Sequence, residues 1–294
     1  MHRSVMLDEV IEYLNIQPKA KVIDATLNGG GHTYGLLQKY PDIKILGIEW
    51  DTEIFEEARL KFKDAEKAGG VIIVNDSYVD LQLIVEKYDF YPDGIIFDLG
   101  LSSWHYEKSG RGFSFMKDEP LDMRFNIKDS ARTAADIVNT ASEEELEEIF
   151  RLYGEEQFSE DIAEEMVRTR RSKPIMTTTQ LVEAIIRSTP NWYQKKKINP
   201  ATKTFQALRV AVNGELENVE KGILAAISVL KKGGRLVVIS FQGLEDKIVR
   251  ETFKQKAKAG VIKWVVKGTI KPKWEEVRQN PRARSAKMKI VEKL

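Results

Sequence analysis

The sequence contains no cysteine. That absence excludes a disulfide, a thiolate zinc site, an iron–sulfur cluster and a cysteine nucleophile. Histidine is nearly as scarce: His2, His32 and His105 are too few for a histidine-rich metal site. No apolar run reaches the roughly 20 residues of a membrane-spanning helix. The N-terminal stretch MHRSVMLDEVIEYL carries a charge every few residues, unlike a signal or transit peptide. A cytoplasmic protein without a membrane partner is expected. Internal repeats and low-complexity linkers are also missing.

With 294 residues, 42% hydrophobic and 31% charged, the chain has the composition of a soluble globular protein long enough for two domains. Its organising stretch is residues 22–32, VIDATLNGGGH. The β-branched run at its start reads as a buried parallel strand. Gly29, Gly30 and Gly31 follow, and residues 33–40 open as a helix. A strand, a glycine turn and a helix N-terminus form a ligand site in α/β sheets: glycine admits a ligand to the backbone, and the first helical turn offers free N–H groups. A phosphate-cradling P-loop requires Lys-Ser/Thr where His32-Thr33 stand, and the dinucleotide spacing GxGxxG is absent. A tight turn with no ligand is the alternative at this point.

Residues 6–14 have apolar positions at helical spacing. Residues 43–50 read as a second strand ending in Glu49, which lies 18 residues beyond Gly31, near where nucleotide-binding sheets place an acid on a ribose. Residues 52–62 predict a helix, with Thr52 as its cap. Residues 71–74 predict a third strand, and Tyr78 in the following loop is placed either to stack on a ring or to fill the core. Residues 93–98 predict a fourth strand with Asp98 at its carboxyl end and a flexible turn beyond it, where open α/β sheets bind ligands.

Alternation then stops until residues 235–241, which follow an amphipathic helix over 215–230. More than 100 residues between neighbouring strands exceed any ordinary connection. Helical patterns at 142–153, 156–171 and 178–188 make this stretch an inserted helical domain, bounded near 105–115 and 200–210. A strand pair near 261–267 and 286–293 would complete the sheet.

The net charge of +1 conceals segregation. Residues 142–165 carry eleven acids and one base, residues 168–203 nine bases and one acid, and residues 247–294 fifteen bases and four acids. Basic blocks interleaved with Trp192, Tyr193, Trp264 and Trp274 suit a polyanion with stackable bases, that is, nucleic acid.

The motifs TLNGGGHT (26–33), DLGLSS (98–103), RGFSF (111–115), LDMR (121–124), PATKTFQALRVAVNGEL (200–216), GGRLVVISFQGLED (233–246) and NPRARSAK (280–287) occur in this order. Together they resemble the bacterial RsmH (MraW) family over nearly the whole chain. That family methylates N4 of a cytidine in the decoding centre of 16S ribosomal RNA, using S-adenosyl-L-methionine. The resemblance implies a class I S-adenosylmethionine methyltransferase: a Rossmann-like, mostly parallel seven-stranded sheet with an inserted α-helical domain. It divides the chain into a methyltransferase domain at 1–110 and 206–294 and an RNA-recognition insert at 111–205. The family's cofactor contacts fall on Gly30, Gly31, His32, Glu49, Tyr78, Asp98 and His105. Arg111, Arg124, Arg209, Arg282 and Arg284, within the shared motifs, become candidate RNA contacts.

The chain departs from the family pattern in three places. Asn28 stands for the first loop glycine, and Asn tolerates positive φ. His105 replaces a glutamine, and Gln242-Gly243 replace His-Ser, which argues against a histidine base there.

Chemistry narrows the acceptor. C5 methylation of a pyrimidine uses a cysteine that adds to C6, so a nitrogen or oxygen acceptor is expected here. A cytosine amine is a weak nucleophile, and a group accepting its N–H hydrogens would localise the lone pair and take the released proton. Asp98, or the backbone carbonyl of the Leu99 turn, is the candidate. No metal is called for. Two competing classes are a non-catalytic RNA-binding ribosome assembly factor and a nicotinamide-dependent oxidoreductase. The first would not need a pocket lined by Gly30, Glu49 and Asp98, and the second fits neither the glycine spacing nor the basic tail.

Overall fold

The computed structural model describes residues 4–128 and 132–294, so His2 lies outside the described residues. Along the chain the first elements are α1 (Leu7–Leu14), β1 (Lys21–Asp24), α2 (Gly31–Lys39), β2 (Lys44–Glu49), α3 (Thr52–Lys67), β3 (Val71–Asn75), α4 (Leu81–Tyr88) and β4 (Gly94–Asp98). Seven helices follow: α5 (Ser103–Glu107), α6 (Ala134–Thr140), α7 (Glu143–Gly154), α8 (Ser159–Arg170), α9 (Thr178–Ser188), α10 (Asn191–Gln194) and α11 (Ala201–Asn213). The chain ends with α12 (Glu215–Val229), β5 (Arg235–Ser240), α13 (Gly243–Lys258), β6 (Ile262–Trp264), α14 (Trp274–Gln279) and β7 (Lys287–Lys293). Among the described residues, no helix is long and apolar enough to cross a membrane.

The strands form one seven-stranded sheet in the order β3-β2-β1-β4-β5-β7-β6. Pairing is parallel from β3 through β5, and β7 runs antiparallel to both β5 and β6. This is the mostly parallel, Rossmann-like sheet expected from the sequence, including the closing strand pair from the tail. Alternate residues feed opposite faces. Val22, Ile45, Ile96 and Val237 enter one apolar cluster, and Ile23, Leu46, Phe97 and Val238 enter another. Burial on both faces is why these strands read as short unbroken apolar runs.

The chain divides into two compact units, Met1–Gly100 with Leu216–Leu294, and Leu101–Glu215. The second unit is wider at both ends than the 111–205 predicted. Leu101 and Tyr106 pack against its core, which also holds Phe113, Leu146, Phe150, Ile162, Leu181 and Leu208. Helix α11 packs on α7. A Cβ at Gly154 would stand 2.7 Å from the Lys203 carbonyl, so only glycine permits that approach. The sequence reading gave no helix here, because α11 is buried on most sides and lacks a clean polar stripe. Starts and stops elsewhere follow side-chain caps. Thr133 with Asp136 and Thr177 with Gln180 form capping boxes on α6 and α9. The cap of α3 is Asp51 and not Thr52: its carboxylate accepts from the N–H groups of Glu53 and Ile54. A carboxylate there also meets the positive end of the helix dipole.

Candidate active site

The glycine loop leaves β1 and enters α2. Asn28 adopts φ 49° and Gly30 φ 64°, so Asn does take the left-handed conformation that the missing glycine would have taken. Two of the glycines are also closely packed within the protein itself. A Cβ on Gly30 would lie 2.3 Å from the Phe62 ring, and one on Gly31 would lie 1.9 Å from the Ser4 hydroxyl. Gly29 alone of the three faces open space.

Three carboxylates stand at the carboxyl ends of adjacent strands. Glu49 ends β2, Asp24 ends β1 and Asp98 ends β4. Glu49 is buried, and its oxygens accept the backbone N–H groups of Asn28 and Asp51, each at 2.8 Å. Burial pushes its pKa up to about 8 despite those two hydrogen bonds. Asp24 is buried and accepts the Thr33 hydroxyl at 2.8 Å; burial raises its pKa as well. Asp98 is pushed up to about 6, again by burial, with the neighbouring His32 opposing the rise. Its side chain is 19% exposed, and its Oδ1 has no hydrogen-bond partner among the described residues.

His32 is buried on the first turn of α2. Its Nε2 lies 2.9 Å from the Val5 carbonyl oxygen, and its Nδ1 lies 3.6 Å from Asp98 Oδ2. The Asp98 backbone N–H donates to the Thr26 hydroxyl at 2.6 Å, which fixes the end of β4 against the strand-to-loop turn. The loop, Glu49, His32 and Asp98 thus form one connected polar group. Sequence reasoning missed Asp24 as a member. Its signal was the acid that closes the first strand, two residues before Thr26.

Tyr78 lies in a short 3₁₀ turn after β3 and is half-buried. Its ring meets Phe97 edge-on at 5.3 Å, and a Cβ on Gly222 would be 2.4 Å from it. This packing fits the core reading of the residue, which is still partly exposed.

The remaining candidates belong elsewhere. His105 lies on α5 in the second unit, with its ring 4.9 Å from Phe113 and 5.2 Å from Phe125. Arg111 is buried, donates to the carbonyls of Arg124 and Phe125, and lies over Trp104 and Phe113. Arg209 is buried in a two-bond ion pair with Glu215 at 2.7 and 2.9 Å. Both guanidiniums are thus engaged by groups of the protein itself. Arg124 is partly buried and paired with Asp122 at 2.7 Å. Arg282 and Arg284 are exposed, as a nucleic-acid contact requires.

The aromatics divide in the same way. Trp192 and Trp274 are 57% and 68% exposed. Tyr193 is buried and donates its hydroxyl to Glu156 at 2.6 Å, and Trp264 packs edge-on against Phe253.

Comparison with known proteins covers the whole chain. The model of the MraW methylase family matches residues 1–294. The chain belongs to that family and is a methyltransferase. Its relatives include proteins named ribosomal RNA small subunit methyltransferase H. The one from Dictyoglomus thermophilum is 44% identical, covering 100% of this chain and 97% of that protein. The one from Sulfurihydrogenibium azorense is 41% identical, covering 100% and 99%. Among solved structures, an rRNA methylase from Streptococcus thermophilus aligns over 100% of this chain and 99% of its own at 12% identity, with a TM-score of 0.45. That likeness is too low to bear on the site.

Proposed function

We propose that this methyltransferase uses S-adenosylmethionine to methylate N4 of a cytidine in 16S ribosomal RNA, with the small ribosomal subunit or its RNA as partner. The observation that carries the cofactor reading is the row of three carboxylates beside the glycine loop, Asp24 and Glu49 buried and Asp98 partly so. Burial raises all three pKa values, so the protein alone holds this site at an electrostatic cost. A cationic ligand relieves that cost through its charge, and a hydrogen-bond donor relieves part of it. When bound, S-adenosylmethionine supplies a positively charged sulfonium and an electrophilic methyl group. The Asp98 Oδ1 that lacks a partner gives the ligand a hydrogen-bond acceptor to occupy.

Glu49, Gly30, Gly31, His32, Tyr78 and Asp98 are the residues that would hold the cofactor. Each Glu49 oxygen keeps a lone pair beyond its backbone hydrogen bond, enough for two ribose hydroxyls. His105 is left out of this set, because its ring is engaged in the aromatic packing of the second unit. Asp98 accepts the proton of the cytosine amine, and much of the remaining acceleration comes from positioning. The target base must leave its stack to be reached. The exposed Arg282 and Arg284 in the basic tail, with Trp192 and Trp274, supply the charge and stacking that RNA needs.

The names of the relatives support the RNA substrate. The test is mass mapping of modified nucleosides after incubating the protein and S-adenosylmethionine with small-subunit ribosomal RNA, naked or assembled. N4-methylcytidine is expected. 5-Methylcytidine would overturn the acceptor assignment, and an unmodified RNA would favour a non-catalytic assembly role.

A further inference from the structure

Among the described residues His32 is the one imidazole in the polar groups of this site, and its two nitrogens have unlike surroundings. Nε2 faces the Val5 carbonyl oxygen at 2.9 Å. A carbonyl only accepts, so Nε2 must carry a hydrogen. In the neutral ring the bare nitrogen is then Nδ1, and it faces Asp98 Oδ2 at 3.6 Å. This places a base next to Asp98, the acid assigned above as proton acceptor, with its tautomer set by the backbone. The gap is longer than a hydrogen bond, a common state of catalytic pairs before their ligand is bound.

Methyl transfer changes the charge of such a site. The amine nitrogen forms its N–C bond as the C–S bond breaks and sulfur keeps the electron pair. The bound cofactor would thereby lose its positive charge, and the amine would release one proton. We infer that His32 is a positioning residue that takes this proton from Asp98 at Nδ1, so that an imidazolium replaces the lost sulfonium and the charge of the site is conserved. This rests on the cofactor reading above.

Charge accounting limits the candidates. Among the described residues the ionisable groups facing His32 are Asp98 on β4 and Asp24 on β1, both acids that favour a cation between them. Ser4 and Val5, which pack from the N-terminal segment, bring no ionisable side chain. Among the described residues no lysine or arginine is placed against His32, so of these groups the imidazole is the one that can become a cation.

The prediction separates substrate and product complexes and needs no RNA. S-Adenosylhomocysteine should bind with an uptake of about one more proton than S-adenosylmethionine near neutral pH. Calorimetry in buffers of different ionisation enthalpy reads that number directly. In His32→Gln, which keeps a donor for Val5 but offers no base, the difference should vanish.

Nitrogen-15 spectra of the intact protein supply the second measurement. With three histidines in the chain, single Gln variants assign each ring. His32 should be the neutral Nε2–H form with S-adenosylmethionine and an imidazolium with S-adenosylhomocysteine. A proton difference that persists in His32→Gln would place it on the carboxylates and overturn the inference. A His32 ring in the same charge state in both complexes would overturn it even if the variant fails to fold. Failure of both ligands to bind would sink the cofactor reading itself, which is a different result.

Discussion

The backbone N–H of Asn28 donates to Glu49 Oε2 at 2.8 Å and so fastens the tip of the glycine loop to the end of β2. Asp51 takes the other oxygen, also at 2.8 Å, and then caps α3 with its own carboxylate. One side chain therefore sets both the loop and the start of the next helix. Glu49→Ala is expected to weaken S-adenosylmethionine binding by about 1–3 kcal/mol through lost hydrogen bonds. It should also lower the melting temperature, since two N–H groups lose their acceptor. Calorimetry and thermal melting check the two effects. A lower melting temperature with unchanged affinity would make Glu49 purely structural.

Asp98→Asn keeps the shape of the side chain and removes its basicity. Single-turnover methylation from a preformed cofactor complex is expected to slow by roughly a hundredfold or more. Cofactor affinity should fall less. A parental rate under saturation would return the proton-accepting role to the Leu99 carbonyl.

The same variant gives a stability signature. In the folded protein Asp98 titrates near pH 6, above its usual 3.8, so the fold holds a proton that the unfolded chain has already released. Its contribution is complete below about pH 4 and is lost as pH rises to about 6. The stability of the cofactor-free parent should therefore drop relative to Asp98→Asn by about 1–3 kcal/mol across that window. Denaturant unfolding of both proteins at several pH values measures it. A difference that does not vary with pH would mean that Asp98 has its ordinary pKa.

The arginines should separate into two kinds. Replacing Arg282 and Arg284 with Ala is expected to flatten the salt dependence of RNA binding and to leave cofactor affinity unchanged. Arg209→Ala should instead destabilise the protein by about 3–5 kcal/mol, because Glu215 would be left as an unpaired buried charge. Filter binding at several salt concentrations and denaturant melts distinguish them. Equal salt slopes for the parent and the Arg282/Arg284 variant would remove the tail from the RNA interface.

The residues that were legible in the sequence are those whose signal is local. Apolar runs ending in Asp24, Glu49 and Asp98 marked the strands, because both faces of the sheet are buried. Acid and base blocks marked polyanion binding, but sequence charge does not show where a guanidinium points. Arg111 and Arg209 sit in the same kind of basic motif as Arg282, yet carbonyls and a carboxylate surround them. Asp51 outcompeted Thr52 for the cap of α3 because capping depends on which side of the boundary turns helical, a one-residue matter. The His32 geometry was not legible at all. It depends on the Val5 carbonyl, which lies 27 positions away in the chain and reaches the ring only in the folded state.

The separation between β4 and β5 has a consequence for how the chain reaches its native state. Residues 94–98 pair with 235–239, and the whole second unit lies between them in sequence. Strands β1 to β4 can associate as soon as they are made, but the other half of the sheet is a distant partner. Closing a flexible loop costs more as it lengthens, although each doubling adds only about 0.6 kcal/mol. The second unit has its own apolar core, so its early condensation shortens the effective loop before β5 arrives. Substitutions at Leu146 or Phe150 should then slow refolding of a sheet that neither residue touches. The helical insert would then act as a kinetic clamp on the catalytic sheet, and refolding rates of those variants measure it.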